Sequence, residues 1–354
     1  MDWSRIHYGE APGWALRPLS FLSFLYGLGV QIKTKASAGR ARKSLPGFVV
    51  SVGNITTGGT GKTPAAIMLA KWAQEQGFRV AILTRGYGGR YREKVLEVID
   101  ATDKRITPAQ AGDEAFLLSR NLKGIPIMIS RDRYLAGSVA REKYDTNFHV
   151  LDDGFQHVRL KRDLDLVLLD ASSPFGNGYL LPLGPLREPI DHLRRADAFL
   201  LTRCGEVELP RVLDFLGRKF PKKPVFEADH IPEQVVVPLT REAHAGEWLR
   251  GKAVIAFAGI ARPAYFRETL EQLGAEVVLF KAFRDHHSYR IEELRHLAQE
   301  KDRQNADLII TTEKDWVRVE HLGTGDANLA YLTVRFRLSD QDRFFAMIKN
   351  RINL

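Results

Sequence analysis

One cysteine, Cys204, stands in 354 residues, so the chain cannot build a disulfide framework. It reads as a protein of a reducing compartment, with Cys204 an inert buried thiol. Acidic residues are outnumbered: 43 Asp and Glu face 52 Lys and Arg, leaving a formal charge of +9. That balance points to polyanionic company, which can be nucleic acid, an anionic membrane surface or a phosphorylated substrate. A recognisable helix-turn-helix, zinc or RNP-type signature is missing, which sets nucleic acid aside. Internal repeats and low-complexity tracts are missing too, and the length suffices for two domains, each with its own core. The uncharged stretch from Pro18 to Gln31 falls short of the about 20 apolar residues that cross a bilayer.

That stretch is rich in Leu, Phe and Tyr, and Lys33, Lys35, Arg40, Arg42 and Lys43 follow it. Ala36-Ser-Ala38 imitates a signal-peptide cleavage site. However, Asp2 and Glu10 spoil the basic start that such a leader needs, and Lys33 and Lys35 occupy its neutral end. Two readings stand: a segment lying in the headgroup region of an anionic membrane, or a helix packed on its own domain.

Apolar runs at 48–52, 79–84, 125–129, 148–152, 165–169 and 198–202 alternate with helical patterns, the rhythm of a doubly wound, mostly parallel sheet. Between the first two, Pro64 to Gly77 has Pro early and Gly at its end, as a single helix should. A second series at 252–259, 276–280 and 307–311 predicts a smaller α/β domain. Pro221-Lys-Lys-Pro224 breaks the pattern between the two series, and Val225 to His230 reads as an extended connector. Tyr331 to Arg337 alternates like a half-buried strand. The expected fold class is therefore α/β, with residues 1–222 forming a nucleotide-binding domain and 237–329 a smaller α/β domain. Segments 223–236 and 330–337 form a two-stranded linker, and a helix over 338–354 returns to the first domain.

The segment from Phe48 to Thr63 reads as a buried strand running into a Gly-rich loop that opens a helix. Gly58, Gly59, Thr60 and Gly61 carry no bulky side chain, so backbone N–H groups can close on phosphate oxygens while the helix adds its positive end. Lys62 is placed to reach the β- and γ-phosphates of ATP and Thr63 to ligate Mg²⁺. Thr56 stands where the usual phosphate-loop pattern has glycine, and Thr57 follows it into the cradle. The second half of such a site is a carboxylate ending a nearby strand, which Asp152 and Asp153 supply after an apolar run. Gln156 follows, suited to nucleotide or to metal-bound water.

The ordered motifs are Gly53 to Thr63, Thr84-Arg-Gly-Tyr-Gly88, Ala111-Gly-Asp-Glu114, Asp132-Arg-Tyr134, Leu151 to His157, Pro182 to Pro189, Ala256 to Pro263, Asp285-His-His287 and Thr311 to Asp315. In order and spacing, from about residue 14 to 337, they resemble the tetraacyldisaccharide 4′-kinase family, which also lacks the glycine at the position of Thr56. The resemblance implies a P-loop kinase using ATP and Mg²⁺ at the cytoplasmic face of the bacterial inner membrane. Its acceptor is an acylated glucosamine disaccharide phospholipid, and its product is the lipid A precursor lipid IVA. The resemblance further implies that Asp113 and His286 form a base pair for the sugar hydroxyl, with His287 an adjacent competitor. Arg85, Tyr87, Arg187 and Glu188 match positions in the family's active-site motifs. An arginine fork suits either nucleotide or substrate phosphate, and both assignments stay open for Arg85 and Arg187. The competing class is a P-loop regulatory GTPase or ATPase, since Thr312-Glu-Lys-Asp315 approximates a guanine-reading signature with Glu in place of Asn or Thr.

Overall fold

The computed structural model describes residues 6–7, 13–38, 41–99, 106–206, 209–323 and 328–353; Asp2, Glu10 and Arg40 lie outside this set. The first half runs α1 (Gly13–Ala38), β1 (Phe48–Gly53), α2 (Lys62–Glu75), β2 (Val80–Thr84), β3 (Leu96–Val98), α3 (Pro108–Ala111), α4 (Asp113–Asn121), β4 (Ile127–Ile129), α5 (Arg133–Tyr144), β5 (Phe148–Asp152), β6 (Leu164–Asp170), β7 (Ala198–Thr202) and α6 (Pro210–Lys219). The second half runs β8 (Val225–Val237), β9 (Glu242–Ala245), β10 (Ala253–Ala258), α7 (Pro263–Gln272), β11 (Glu276–Ala282), α8 (Ile291–Arg303), β12 (Leu308–Thr312), α9 (Glu313–Val319), β13 (Leu329–Leu338) and α10 (Gln341–Ile352).

All described strands join one sheet in the order β11-β10-β12-β13-β8-β7-β6-β1-β5-β2-β4-β3, with β9 paired to β8. The strands of the first half are parallel except for β3, a three-residue edge strand antiparallel to β4. β1 lies between β5 and β6 and is buried along its whole length, so Phe48-Val-Val-Ser-Val-Gly53 reads as a continuous apolar run rather than an alternating one. This central position delivers its C-terminal end, and the loop beyond it, to the crevice where a parallel sheet presents its ligand site.

The connector expected at 225–230 extends into the 13-residue strand β8. Its first residues pair in parallel with β7, and its remainder runs antiparallel to β13. Because β13 also pairs with β12, the two crossing strands belong to the sheet and carry it without a break into the second half. α10 then lays Phe344, Phe345 and Ile348 into the core of the first half, with Phe345 stacked on Trp72 of α2 at 4.7 Å between ring centres.

α1 keeps only a narrow stripe in contact with the body. Leu19, Ser23 and Gly27, spaced by four, are buried, and the Ser23 hydroxyl donates to the Leu180 carbonyl at 2.8 Å. A Cβ at Gly27 would approach Leu180 to 2.9 Å, so the close approach depends on glycine. Phe21, Leu22, Phe24, Leu25, Leu28 and Ile32 are exposed. No helix among the described residues is long and apolar enough to cross a membrane.

Candidate active site

The loop after β1 is shaped by backbone conformations that favour glycine. Gly58 and Gly61 have φ of +110° and +85°, and Gly61 caps α2 in the left-handed region with no side-chain cap of its own. Gly61 and the first residues of α2, Lys62 and Thr63, line the cavity. Asn54 braces the loop from below: its side-chain amide donates to the Thr60 hydroxyl at 3.0 Å, and its carbonyl accepts from Gln156 at 2.8 Å. Arg203, held against Asp170, donates to the Gly59 carbonyl at 2.8 Å. A Cβ at Gly61 would fall within 2.0 Å of His230 Nε2 on β8, so the loop also lies directly on a crossing strand.

Thr57 lines the cavity with the glycines that follow it, and both Thr56 and Thr57 also tie the loop to a neighbouring segment. Thr56 is buried and bridges to Leu186, and the Thr57 amide already donates to the Pro185 carbonyl at 2.8 Å. They anchor the 185–187 segment to the phosphate loop. Through that anchor Arg187 arrives over Asp153, its Nη1 donating to both carboxylate oxygens at 3.0 and 2.9 Å. Lys62 Nζ lies 3.6 Å from the same carboxylate. Burial pushes the Asp153 carboxyl up, but Lys62 and Arg187 outweigh it and hold the group below its ordinary value.

Asp152 ends β5 almost fully buried, and neither carboxylate oxygen has a hydrogen-bond partner among the described residues. Burial, then the charges of Glu114 and Asp153, push it up to about 7. Orphaned buried acceptors of this kind call for a cation or an ordered polar group. With Thr63 and Asp153 facing the cavity beside Lys62, the donor set suits Mg²⁺, which takes one or two carboxylates and completes its shell with water and phosphate.

The cavity has a volume of about 1510 Å³, and its lining includes Lys62, Thr63, Arg85, Tyr87, Asp153 and His286. His286 sits on the loop after β11 with φ +58°. Its Nδ1 is 3.4 Å from Asp113 Oδ2, which opens α4 in the first half. Tyr87 lies beside the imidazole at 5.8 Å between ring centres. His287 turns away, bonded to Glu293 and stacked on Phe283. Burial pushes Asp113 up, but the bond to His286 and the guanidinium of Arg318 outweigh it and hold its carboxyl down.

Glu188 also borders the cavity, yet its carboxylate is taken by Arg195 at 2.8 Å and His192 at 2.6 Å. Its visible work is to fix the segment behind Arg187. Asn54, Arg203, His230 and Arg318 belong to the site without having been singled out in the sequence. The first lies inside the quoted loop motif and Arg318 three residues beyond the Thr311 to Asp315 motif, whereas nothing local marks Arg203 or His230.

The guanine-reading alternative meets a filled group. Both oxygens of Asp315 are engaged, Oδ2 by the Gly259 amide and the Thr312 hydroxyl, and Oδ1 by Tyr289 and Arg318.

Comparison with known proteins identifies the family of the chain. The family model of tetraacyldisaccharide-1-P 4′-kinase matches residues 13–353. A tetraacyldisaccharide 4′-kinase of Syntrophus aciditrophicus (strain SB) is 38% identical over 337 residues, covering 92% of this chain and 90% of its own. That of Anaeromyxobacter dehalogenans (strain 2CP-C) is 44% identical over 282 residues, covering 79% and 74%. The crystal structure of the "apo" form of LpxK from Aquifex aeolicus in complex with ATP is 31% identical, with a TM-score of 0.75, and covers 96% of this chain and 99% of that one. With its phosphate loop, paired aspartates and cleft in place, the chain belongs to the tetraacyldisaccharide-1-P 4′-kinase family.

Proposed function

We propose that the chain transfers the γ-phosphate of ATP to the 4′-hydroxyl of a tetraacylated glucosamine disaccharide 1-phosphate, with Asp113 and His286 acting together on the hydroxyl proton. The observation that carries the assignment of roles is one cavity whose lining includes both Lys62 and Thr63 and also His286, which Asp113 approaches to 3.4 Å. Lys62 and Arg187 offer positive charge where the transferring phosphoryl group gains negative charge. The amides of the 58–61 loop hold the phosphates. Mg²⁺, held by Thr63 with Asp153 or Asp152, neutralises phosphate charge when bound. A sugar hydroxyl is a poor nucleophile at neutral pH, and a placed base contributes about 10² to 10⁴-fold. Asp113 is an ionised carboxylate and can accept the proton, while His286 orients it and spreads the charge. Arg85 and Tyr87 border the same space and suit the disaccharide phosphate and ring.

The exposed apolar face of α1 supports a place for the enzyme on the cytoplasmic surface of the inner membrane. Its inner stripe rests on the 180–187 segment, and the Tyr26 hydroxyl donates to the Arg187 carbonyl at 3.0 Å. An acylated acceptor entering from the bilayer would thus meet the site beside the helix that reaches the bilayer.

The test is direct. Purified full-length protein in phospholipid–detergent micelles, given ATP and the disaccharide 1-phosphate, should yield a product heavier by one phosphate at the 4′ position. Absence of transfer from ATP, or equal use of GTP with no acceptor dependence, would overturn the assignment.

A further inference from the structure

Asp113 and His286 come from opposite halves of the sheet, and at 3.4 Å their own contact is long for a hydrogen bond. Arg318 lies closer to each than they lie to each other. Its Nε donates to Asp113 Oδ2 at 2.6 Å, and its Nη2 is 3.1 Å from His286 Nδ1. The remaining nitrogen, Nη1, donates to the Asp315 carboxylate and to the Gly259 carbonyl, each at 2.8 Å. Only 6% of Arg318 is exposed.

The fork is itself rigidly mounted. Asp315 is fully buried and holds the Gly259 amide, the Tyr289 hydroxyl and the Thr312 hydroxyl around it. The His286 amide in turn donates to the Gly259 carbonyl at 3.1 Å. Arg318, Gly259, His286 and Asp315 therefore form one unit of the second half. Asp113 is the point where that unit grips the first half, alongside the Asn121–Glu313 bond at 2.8 Å and the Arg120–Glu320 ion pair. A lysine ammonium could not replace the fork, because its donors do not lie in one plane with the spacing these acceptors require.

We infer that Arg318 is a positioning residue for phosphoryl transfer: its guanidinium sets the Asp113 carboxylate against His286 and so makes assembly of the base pair depend on the seating of the second half on the first. This rests on the Asp113–His286 reading above. Arg318 touches neither the phosphate loop nor the nucleotide-binding lysine, so its loss should act on turnover and leave ATP binding in place.

In the full-length enzyme, Arg318→Lys should lower kcat by about 10²-fold, within the range of a general base, with KM for ATP changed less than about threefold and a retained cooperative melt. Adding Asp113→Ala to Arg318→Lys should cost far less than Asp113→Ala costs alone, because residues acting as a unit do not give multiplicative losses. Methylguanidinium should restore turnover to Arg318→Ala and do nothing for Lys62→Ala. Because removing one member of a buried ion pair can unfold a protein, Arg318→Gln combined with Asp315→Asn, which removes the guanidinium together with the fully buried carboxylate it neutralises, provides the same kcat reading where the single variants do not fold. A folded Arg318→Lys with near-native kcat, or fully multiplicative losses with Asp113→Ala, would overturn the inference. Near-native kcat in Asp113→Ala itself would instead remove the base-pair reading beneath it.

Discussion

Lys62 Nζ and the Asp153 carboxylate lie 3.6 Å apart at the mouth of the phosphate loop, and Arg187 closes on the same carboxylate from the other side. Both cations are thus held by Asp153 in the structure, and all three residues line the cavity that the phosphate loop borders. Lys62 begins α2 and belongs to no apolar core, so its replacement leaves packing alone. Lys62→Ala should reduce kcat by about 10³-fold or more while the melting temperature stays within a few degrees, since removing a donor at a developing charge costs about that much. Steady-state kinetics with a parallel thermal melt checks this. Near-native turnover by the folded variant would remove the phosphate-loop assignment.

Asp153→Asn keeps the shape of the side chain and loses the anionic ligand that a hard cation prefers. The variant should need a several-fold higher Mg²⁺ concentration for half-maximal rate and show a lower plateau. A Mg²⁺ titration at fixed ATP decides. An unchanged titration would pass the metal role to Asp152, whose two oxygens have no partner among the described residues.

The parts of the molecule that obey local rules are legible in the sequence. The apolar run of β1, the glycines after it and the acid pair ending β5 each have a short-range physical cause, and they lie within a residue or two of where the sequence places them. β3 escapes because its three residues, Leu96 to Val98, of which only Val98 is fully buried, carry too short a pattern to separate from a loop. The unbroken sheet escapes because the two crossing strands look like a linker until their pairing with β7 and β12 is seen. Arg318, Arg203 and His230 escape for a third reason. Their roles arise from contacts across more than a hundred residues of chain, such as Arg318 to Asp113, and no spacing in the sequence records them.

His149 on β5 is fully buried. Its Nε2 is 3.1 Å from the Thr146 hydroxyl, and its Nδ1 lacks a hydrogen-bond partner among the described residues. Burial, helped by the charge of Arg141, lowers it from 6.5 to about 4. The folded state therefore resists a proton that the unfolded state accepts, so stability present above about pH 6.5 is lost as pH falls toward 4. At pH 5 this one group should cost about 2 kcal/mol relative to pH 8. His149→Gln should start less stable at pH 8 and lose less on acidification, because it removes that proton-binding difference and leaves all others. Denaturant melts of both proteins at the two pH values check it, and equal losses would exclude His149 as a source of acid sensitivity.

Asp113→Ala and His286→Ala should each lower kcat by about 10² to 10⁴-fold with ATP still bound, since neither side chain forms part of the phosphate cradle. The double variant should fall little below the worse single one. His287→Ala should do much less, because His287 faces Glu293 and Phe283 rather than Asp113. Fully multiplicative losses, or a greater sensitivity at His287, would break the pair as assigned.

The outer face of α1 offers a test that separates lipid contact from folding. Phe21 and Phe24 are 62% and 68% exposed, whereas Leu19 and Ser23 on the inner stripe are buried. A Phe side chain moved from water into an apolar environment contributes about 1.5–3 kcal/mol, which is tenfold or more in a partition constant. Phe21→Asp together with Phe24→Asp should accordingly cut sedimentation with anionic phospholipid vesicles by about a hundredfold or more in apparent affinity, and raise KM for the acylated acceptor, while leaving the melting temperature and KM for ATP near native. The basic residues after the apolar stretch add an electrostatic part that higher salt should weaken. Vesicle binding that survives both substitutions in a folded protein would mean that the exposed face of α1 does not meet the bilayer.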